Sequence, residues 1–139
     1  MEELKTLEEL KIGDTYKDSL KITNELLQGF IELSKDQAPV HIDSEHAKKM
    51  GFNNIIVPGF LVSLGYSRIL GMFLPGSNTI IHNLQIDMTA PVYIDDIIIY
   101  EVNVSRLIPS VKAVQLKLSA FNQVGIQVSK GSAVCVFRL

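Results

Sequence analysis

Apolar residues along the chain follow two periods, a helical one through the first half and a two-residue one through the second. In residues 23–34, Leu26, Leu27, Phe30, Ile31 and Leu33 recur at helical spacing, with Thr23 or Asn24 placed to accept from the free amides of a first turn. The spacing predicts a helix there. Residues 35–41 follow as an irregular loop, because Pro39 lacks a backbone donor and steers Ala38 away from helical geometry. Residues 44–50 read as a short helix, capped by Asp43 or Ser44 and closed by Gly51 in a left-handed conformation. A longer helix is expected over residues 58–73, since proline suits a first helical turn. Phe60, Leu61, Val62, Leu64, Tyr66, Ile69, Leu70, Met72 and Phe73 put apolar side chains on nearly every side of it, which predicts burial. The small residues Ser63, Gly65 and Ser67 leave room on it for a neighbouring backbone or a ligand.

Beyond Pro75 and Gly76 the period drops to two. His82, Leu84, Ile86 and Met88 share one face, with Asn83, Gln85 and Asp87 on the other. Ile98, Tyr100, Val102 and Val104 alternate in a second strand, and Val114, Leu116, Leu118 and Ala120 in a third. Residues 133–137 form a nearly continuous apolar strand at the end. The breaks at 107–110 and 122–125 are short enough to join antiparallel neighbours. Together these elements predict an α+β fold in which an antiparallel β-sheet is wrapped around a long central α-helix.

At 139 residues the chain fits one domain spanning residues 1–139. Its 47% apolar and 20% charged residues supply a core and argue against disorder. A net charge of −2 offers no clustered positive field for nucleic acid or an acidic membrane. The single cysteine, Cys135, excludes an intrachain disulfide or a cysteine-built zinc site and points to a reducing compartment. Residues 1–10 lack a basic segment followed by an apolar run, so no secretory signal is expected. The longest apolar stretch, residues 55–64, contains Pro58 and Gly59 and falls short of the roughly 20 residues of a membrane span. A cytoplasmic location is the expectation.

Asp36 and His41 are the chemically sharpest pair. A carboxylate and an imidazole in one loop can converge on a water, taking and returning its proton. The same residues also suit a turn cap and a satisfied, partly buried histidine. A metal site is disfavoured: His41 and His46 lack the spacing of a helical zinc pair, and Asp43 is better used as a cap. The Gly59 amide, at a helix start, can meet charge developing on a carbonyl oxygen and has no side chain to block approach. Ser67 is either a polar ligand contact or a small packing residue. His82 reads as a cross-strand partner and Cys135 as an inert small hydrophobe. No phosphate-binding glycine motif or nucleophile elbow is present, so no cofactor is implied.

The run from Phe30 through Ser34, Asp36, Pro39, His41 and Asp43, followed by Ala47, Gly51-Phe52 and Ile56-Val57-Pro58-Gly59-Phe60-Leu61, resembles the hydratase signature of the MaoC-like, R-specific enoyl-CoA hydratase family. That signature runs Ser-x-Asp-x-Asn-Pro-x-His-x-Asp, then an Ala and a Phe-Gly element, then Ile-x-His-Gly-Met-Leu. The resemblance extends more loosely through Leu74-Pro75-Gly76 and the turn from Ala90 to Asp96. It implies a hot-dog fold, usually dimeric with sites near the subunit interface. It also implies syn addition of water across a 2-enoyl thioester of CoA or acyl-carrier protein, giving an R-3-hydroxyacyl thioester. Carried over by position, Asp36 and His41 hold the water, Asp36 exchanges the α-carbon proton, Gly59 N–H polarises the thioester carbonyl and Ser67 lines the site. A homodimer is the implied assembly. Two positions depart from the signature, Ala38 replacing Asn and Pro58 replacing His. They keep a non-catalytic acyl-thioester-binding subunit open as an alternative, beside a thioesterase on the same fold.

Overall fold

The computed structural model describes residues 5–139, so the first residues of the acidic amino-terminal stretch lie outside the described residues. In chain order come β1 (Thr15–Lys21), α1 (Asn24–Ser34), a 3₁₀ turn at Pro39–His41, α2 (Ser44–Lys49), α3 (Gly59–Val62), α4 (Leu64–Met72), β2 (Thr79–Met88), β3 (Ile97–Ile108), β4 (Ala113–Phe121) and β5 (Gln127–Phe137). The five strands form one antiparallel sheet in the order β1-β3-β4-β5-β2, the architecture of a hot-dog fold. Alternation delivers Ile98, Tyr100, Val102 and Val104 of β3 and Val114, Leu116, Leu118 and Ala120 of β4 to the core. Against them pack Leu61 and Val62 of α3 and Tyr66, Ile69 and Leu70 of α4.

The first helices start where side chains can satisfy open amides. Thr23 accepts from Leu26 N at 3.2 Å to cap α1, and Lys35 ends that helix in the left-handed region at φ 61°. Asp43 accepts from the amides of Glu45 and His46 at 3.0 and 3.3 Å to cap α2, and Gly51 follows at φ 96°.

The expected single helix over residues 58–73 is interrupted. Ser63 donates from its hydroxyl to Gly59 O at 2.7 Å, while its own amide donates to the same oxygen at 3.0 Å. A serine that bonds back across a turn competes with the helical ladder and bends it. Tyr66 N consequently reaches only to Ser63 O, three residues back. The result is a four-residue α3 and a nine-residue α4. Nor is this helical pair enclosed all round: Leu64 and Met72 are exposed, and Phe60 is 82% exposed. The sheet covers one face and leaves the other open.

A close approach seats α4 on the sheet. A Cβ on Gly65 would stand 2.2 Å from Cε2 of Tyr100, so only glycine lets that ring lie against the helix. The Tyr100 hydroxyl donates to Val62 O, near the end of α3, and the Tyr66 ring meets Tyr100 edge-on at 5.3 Å between centroids. The far end of α4 is tied to β1, where Arg68 pairs with Asp18 and lies over Phe73, itself stacked on Tyr16.

His82 is not the cross-strand partner its alternation suggests. β2 pairs Ile81 with Cys135 and Asn83 with Val134, leaving His82 as the extra residue of a β-bulge, exposed at the sheet edge.

Gly65→Ala should destabilise the fold by about 1–3 kcal/mol, read as a lower urea midpoint, because the Tyr100 ring must shift out of its seat. The two buried tyrosines should separate in the same assay. Tyr100→Phe strands the Val62 carbonyl and should cost about 1–3 kcal/mol, whereas Tyr66, whose hydroxyl makes no well-formed hydrogen bond among the described residues, should tolerate Phe within about 1 kcal/mol. Burial pushes the Tyr66 hydroxyl up to about 12 and raises Tyr100 as well. Unfolded tyrosines ionise near pH 10 while these keep their protons, so stability should hold below about pH 10 and fall as pH rises towards 12. Urea titrations across that range should show a shallower fall in Tyr66→Phe.

Candidate active site

The loop between α1 and α2 is built by its own polar groups. Asp36 N donates to Ser34 Oγ at 3.1 Å, and Asp36 Oδ1 accepts from Ala38 N at 3.1 Å, an Asx turn that leads into Pro39. His41 N then donates to Ala38 O at 2.9 Å and Asp43 N to Pro39 O at 2.8 Å, closing the 3₁₀ turn.

The turn is held by one residue of the next loop. Ile56 N donates to Val40 O at 3.1 Å, and Ile56 O accepts from His41 Nδ1 at 2.7 Å. A carbonyl oxygen only accepts, so this bond assigns the neutral ring's proton to Nδ1 and leaves Nε2 as the free acceptor. The adjacent Val57 N donates to Val92 O at 2.8 Å, tying the same loop to the segment after β2.

These ties border a mostly apolar, open cavity of about 400 Å³, whose walls include His41, Phe52, Val57, Gly59, Met88 and Val92. The structure thus brings His41 and Gly59 to one space. Gly59 is half-buried, and its amide donates to no backbone carbonyl among the described residues. Because α3 is short, this amide acts as one free N–H rather than through a long helix dipole. Pro58, in the preceding position, is buried and offers no donor.

Asp36 is half-buried and does not form part of the cavity wall. Among the described residues no hydrogen bond or ion pair joins it to His41. Ser67 is exposed on α4 and is not among the residues lining this cavity. Among the described residues no three His, Cys, Asp or Glu side chains converge as a metal site, and no helix is long and apolar enough to cross a membrane. Cys135 is buried in β5, and burial pushes its thiol up to about 11, away from nucleophilic use. Sequence reasoning missed the Ile56 carbonyl, a main-chain role that no side-chain pattern encodes, and it gave Met88 no part in a site although the alternation of β2 put it on the correct face.

An antiparallel sheet packed on α3 and α4 has the architecture of a hot-dog fold, and on it His41 and the Gly59 amide share one mostly apolar cavity. The solved (R)-hydratase from A. caviae superposes with a TM-score of 0.87 at 29% identity, covering 93% of this chain and 98% of that one. The unliganded R-hydratase from Pseudomonas aeruginosa gives 0.86 at 30% identity, covering 95% and 84%. Residues 9–120 match the family described as MaoC like domain, and the chain belongs to that family. Among curated relatives, the (R)-specific enoyl-CoA hydratase of Aeromonas caviae is 30% identical over 125 residues, 90% of this chain and 93% of that protein. The mitochondrial 3-hydroxyacyl-[acyl-carrier-protein] dehydratase of Arabidopsis thaliana is 38% identical over 87 residues, 63% of this chain. The match spans about half the length of that plant protein, 51%.

Removing the α2 cap by Asp43→Ala should lower stability by about 1 kcal/mol in chemical denaturation, because two helix amides lose their acceptor.

Proposed function

We propose that this chain is a hydro-lyase that reversibly adds water, with syn geometry, to a 2-enoyl thioester of CoA or acyl-carrier protein, giving the R-3-hydroxyacyl thioester. The observation that carries this reading is the shared apolar cavity of His41 and Gly59, with the His41 tautomer set by Ile56 O. Similarity along nearly the full length of the Aeromonas caviae enzyme supports it. The thioester carbonyl sits at Gly59 N–H, which meets the charge that develops on its oxygen. A water lies between His41 Nε2 and Asp36 in this reading. Its oxygen bonds to C3 while the proton it loses passes through Asp36 to C2; Nε2 holds the remaining O–H. Both new bonds form from one water on one face, which makes the addition syn.

The open face of α3 and α4 and the free edge of β2 suit pairing with a second copy. Both faces of β2 are largely exposed, with Ile80 and Ile81 in the open near the start of the strand. A homodimer would cover them, and in it Ser67 would face substrate only across that junction. Light scattering on purified protein should give twice the chain mass. A reducing, cytoplasmic setting suits the single buried thiol of Cys135.

Crotonyl-CoA should lose its enoyl-thioester absorbance on mixing with the protein, and Asp36→Ala and His41→Ala should each lower kcat by about 10²–10⁴-fold in protein that still unfolds cooperatively. Undiminished turnover in Asp36→Ala would rule this mechanism out. A second reading, a non-catalytic acyl-thioester-binding subunit, is favoured by Ala38 and Pro58 standing where the signature has Asn and His. Its mark would be a stable complex with an intact hydratase chain and no turnover alone. Release of free thiol from an acyl-CoA would instead point to a thioesterase.

A further inference from the structure

Met88 stands between two cavities. On one side is the space of His41 and Gly59; on the other is a second apolar cavity of about 320 Å³, lined by Gly59, Phe60, Ser63, Leu84, Ile86 and Met88. Gly59 and Met88 belong to both walls. A Cβ built on Gly59 would lie 3.1 Å from Met88 Cγ and 3.3 Å from its Sδ, so the methionine fills the place a side chain there would take. It ends β2 opposite the buried Ser129, on the same side of the strand as Leu84 and Ile86. At 45% exposure it is not locked into the core, and a methionine turns about three single bonds at little energetic cost.

We propose that Met88 determines how long an acyl chain the site accepts, by forming a movable partition between the cavity of His41 and the cavity of Leu84 and Ile86. The proposal rests on the thioester reading of the site. A chain whose carbonyl is held at Gly59 begins at the residue common to both spaces. Carbons that outrun the first cavity meet the second across Met88, which stands in the way. Short chains leave the partition in place; longer ones must displace it and gain the walls of Phe60, Leu84 and Ile86 in exchange. The ligand class assigned to the second cavity is therefore the distal part of a straight-chain acyl thioester.

The test measures binding apart from chemistry, using calorimetry with saturated butyryl-CoA and octanoyl-CoA on the full chain. The ratio of the two Kd values cancels whatever the CoA portion contributes. Met88→Ala should shift that ratio towards octanoyl-CoA by about tenfold, and Met88→Phe should shift it about tenfold the other way. Adding Leu84→Phe to Met88→Ala should abolish the gain, because the second cavity itself is then filled. A ratio within about twofold of the parent in both single variants, or a gain that survives Leu84→Phe, would overturn the proposal. Crotonyl-CoA hydration by the unmodified protein separates this from the broader reading. Binding with a Met88-dependent ratio but no hydration keeps the partition and removes the hydratase; hydration with a ratio indifferent to Met88 does the reverse. Failure to bind either acyl-CoA removes both.

Discussion

The absence of a side chain at Gly65 is the constraint on which the arrangement depends. It lets the Tyr100 ring of a central strand lie directly against α4, and from that contact Tyr100 reaches the Val62 carbonyl with its hydroxyl. Helix and sheet are thereby fixed at one distance and one angle at the point where α3 meets α4. Gly59 stands one short turn away from Val62, so the position of its free amide relative to the sheet follows from the same seat. The interruption at Ser63 belongs to this arrangement. The serine takes over the Gly59 carbonyl, and the carbonyl left near the end of α3 finds its donor in Tyr100 rather than in the next helical turn.

The two halves of the proposed dyad are held very differently. His41 is clamped through its neighbour's carbonyl and its own ring to opposite ends of a single residue, Ile56, which fixes both ring position and tautomer. Asp36 is held only within its own turn, with one carboxylate oxygen on the Ala38 amide. The signature's Asn would stand at residue 38, where this chain has a methyl group, so Asp36 is positioned by the Ser34 hydroxyl and the Ala38 amide. The histidine is a rigid reference point, and the carboxylate is the side chain left to adjust to a bound water or substrate.

Helices α1 and α2 were legible because their caps are side-chain chemistry: Thr23 and Asp43 perform the roles their positions suggest. Four strands were legible because their inward positions are almost uniformly apolar. β1 was not, and Asp18 shows why. It occupies an inward position between Tyr16 and Leu20, made tolerable by Arg68 fifty residues away, a partner that no local pattern contains. The break at Ser63 was equally hidden, since neither proline nor glycine marks it and only the hydroxyl's choice of acceptor produces it. Of the site, the loop of Asp36 and His41 and the glycine at the helix start were readable from residue type and spacing. The carbonyl that orients the histidine was not, because every residue has one.

The bulge at His82 carries a consequence for how β2 is written. Before it, Thr79 and Ile81 lie opposite the buried Phe137 and Cys135; after it, Leu84 lies opposite the buried Ala133 and Met88 opposite Ser129. Odd-numbered residues face the helices up to the bulge and even-numbered residues beyond it. The strand is therefore two messages in opposite phase, with a single unpaired histidine as the punctuation between them. Lengthening or shortening the chain by one residue there would leave the first phrase intact and turn the second inside out, exchanging Leu84, Ile86 and Met88 for Asn83, Gln85 and Asp87.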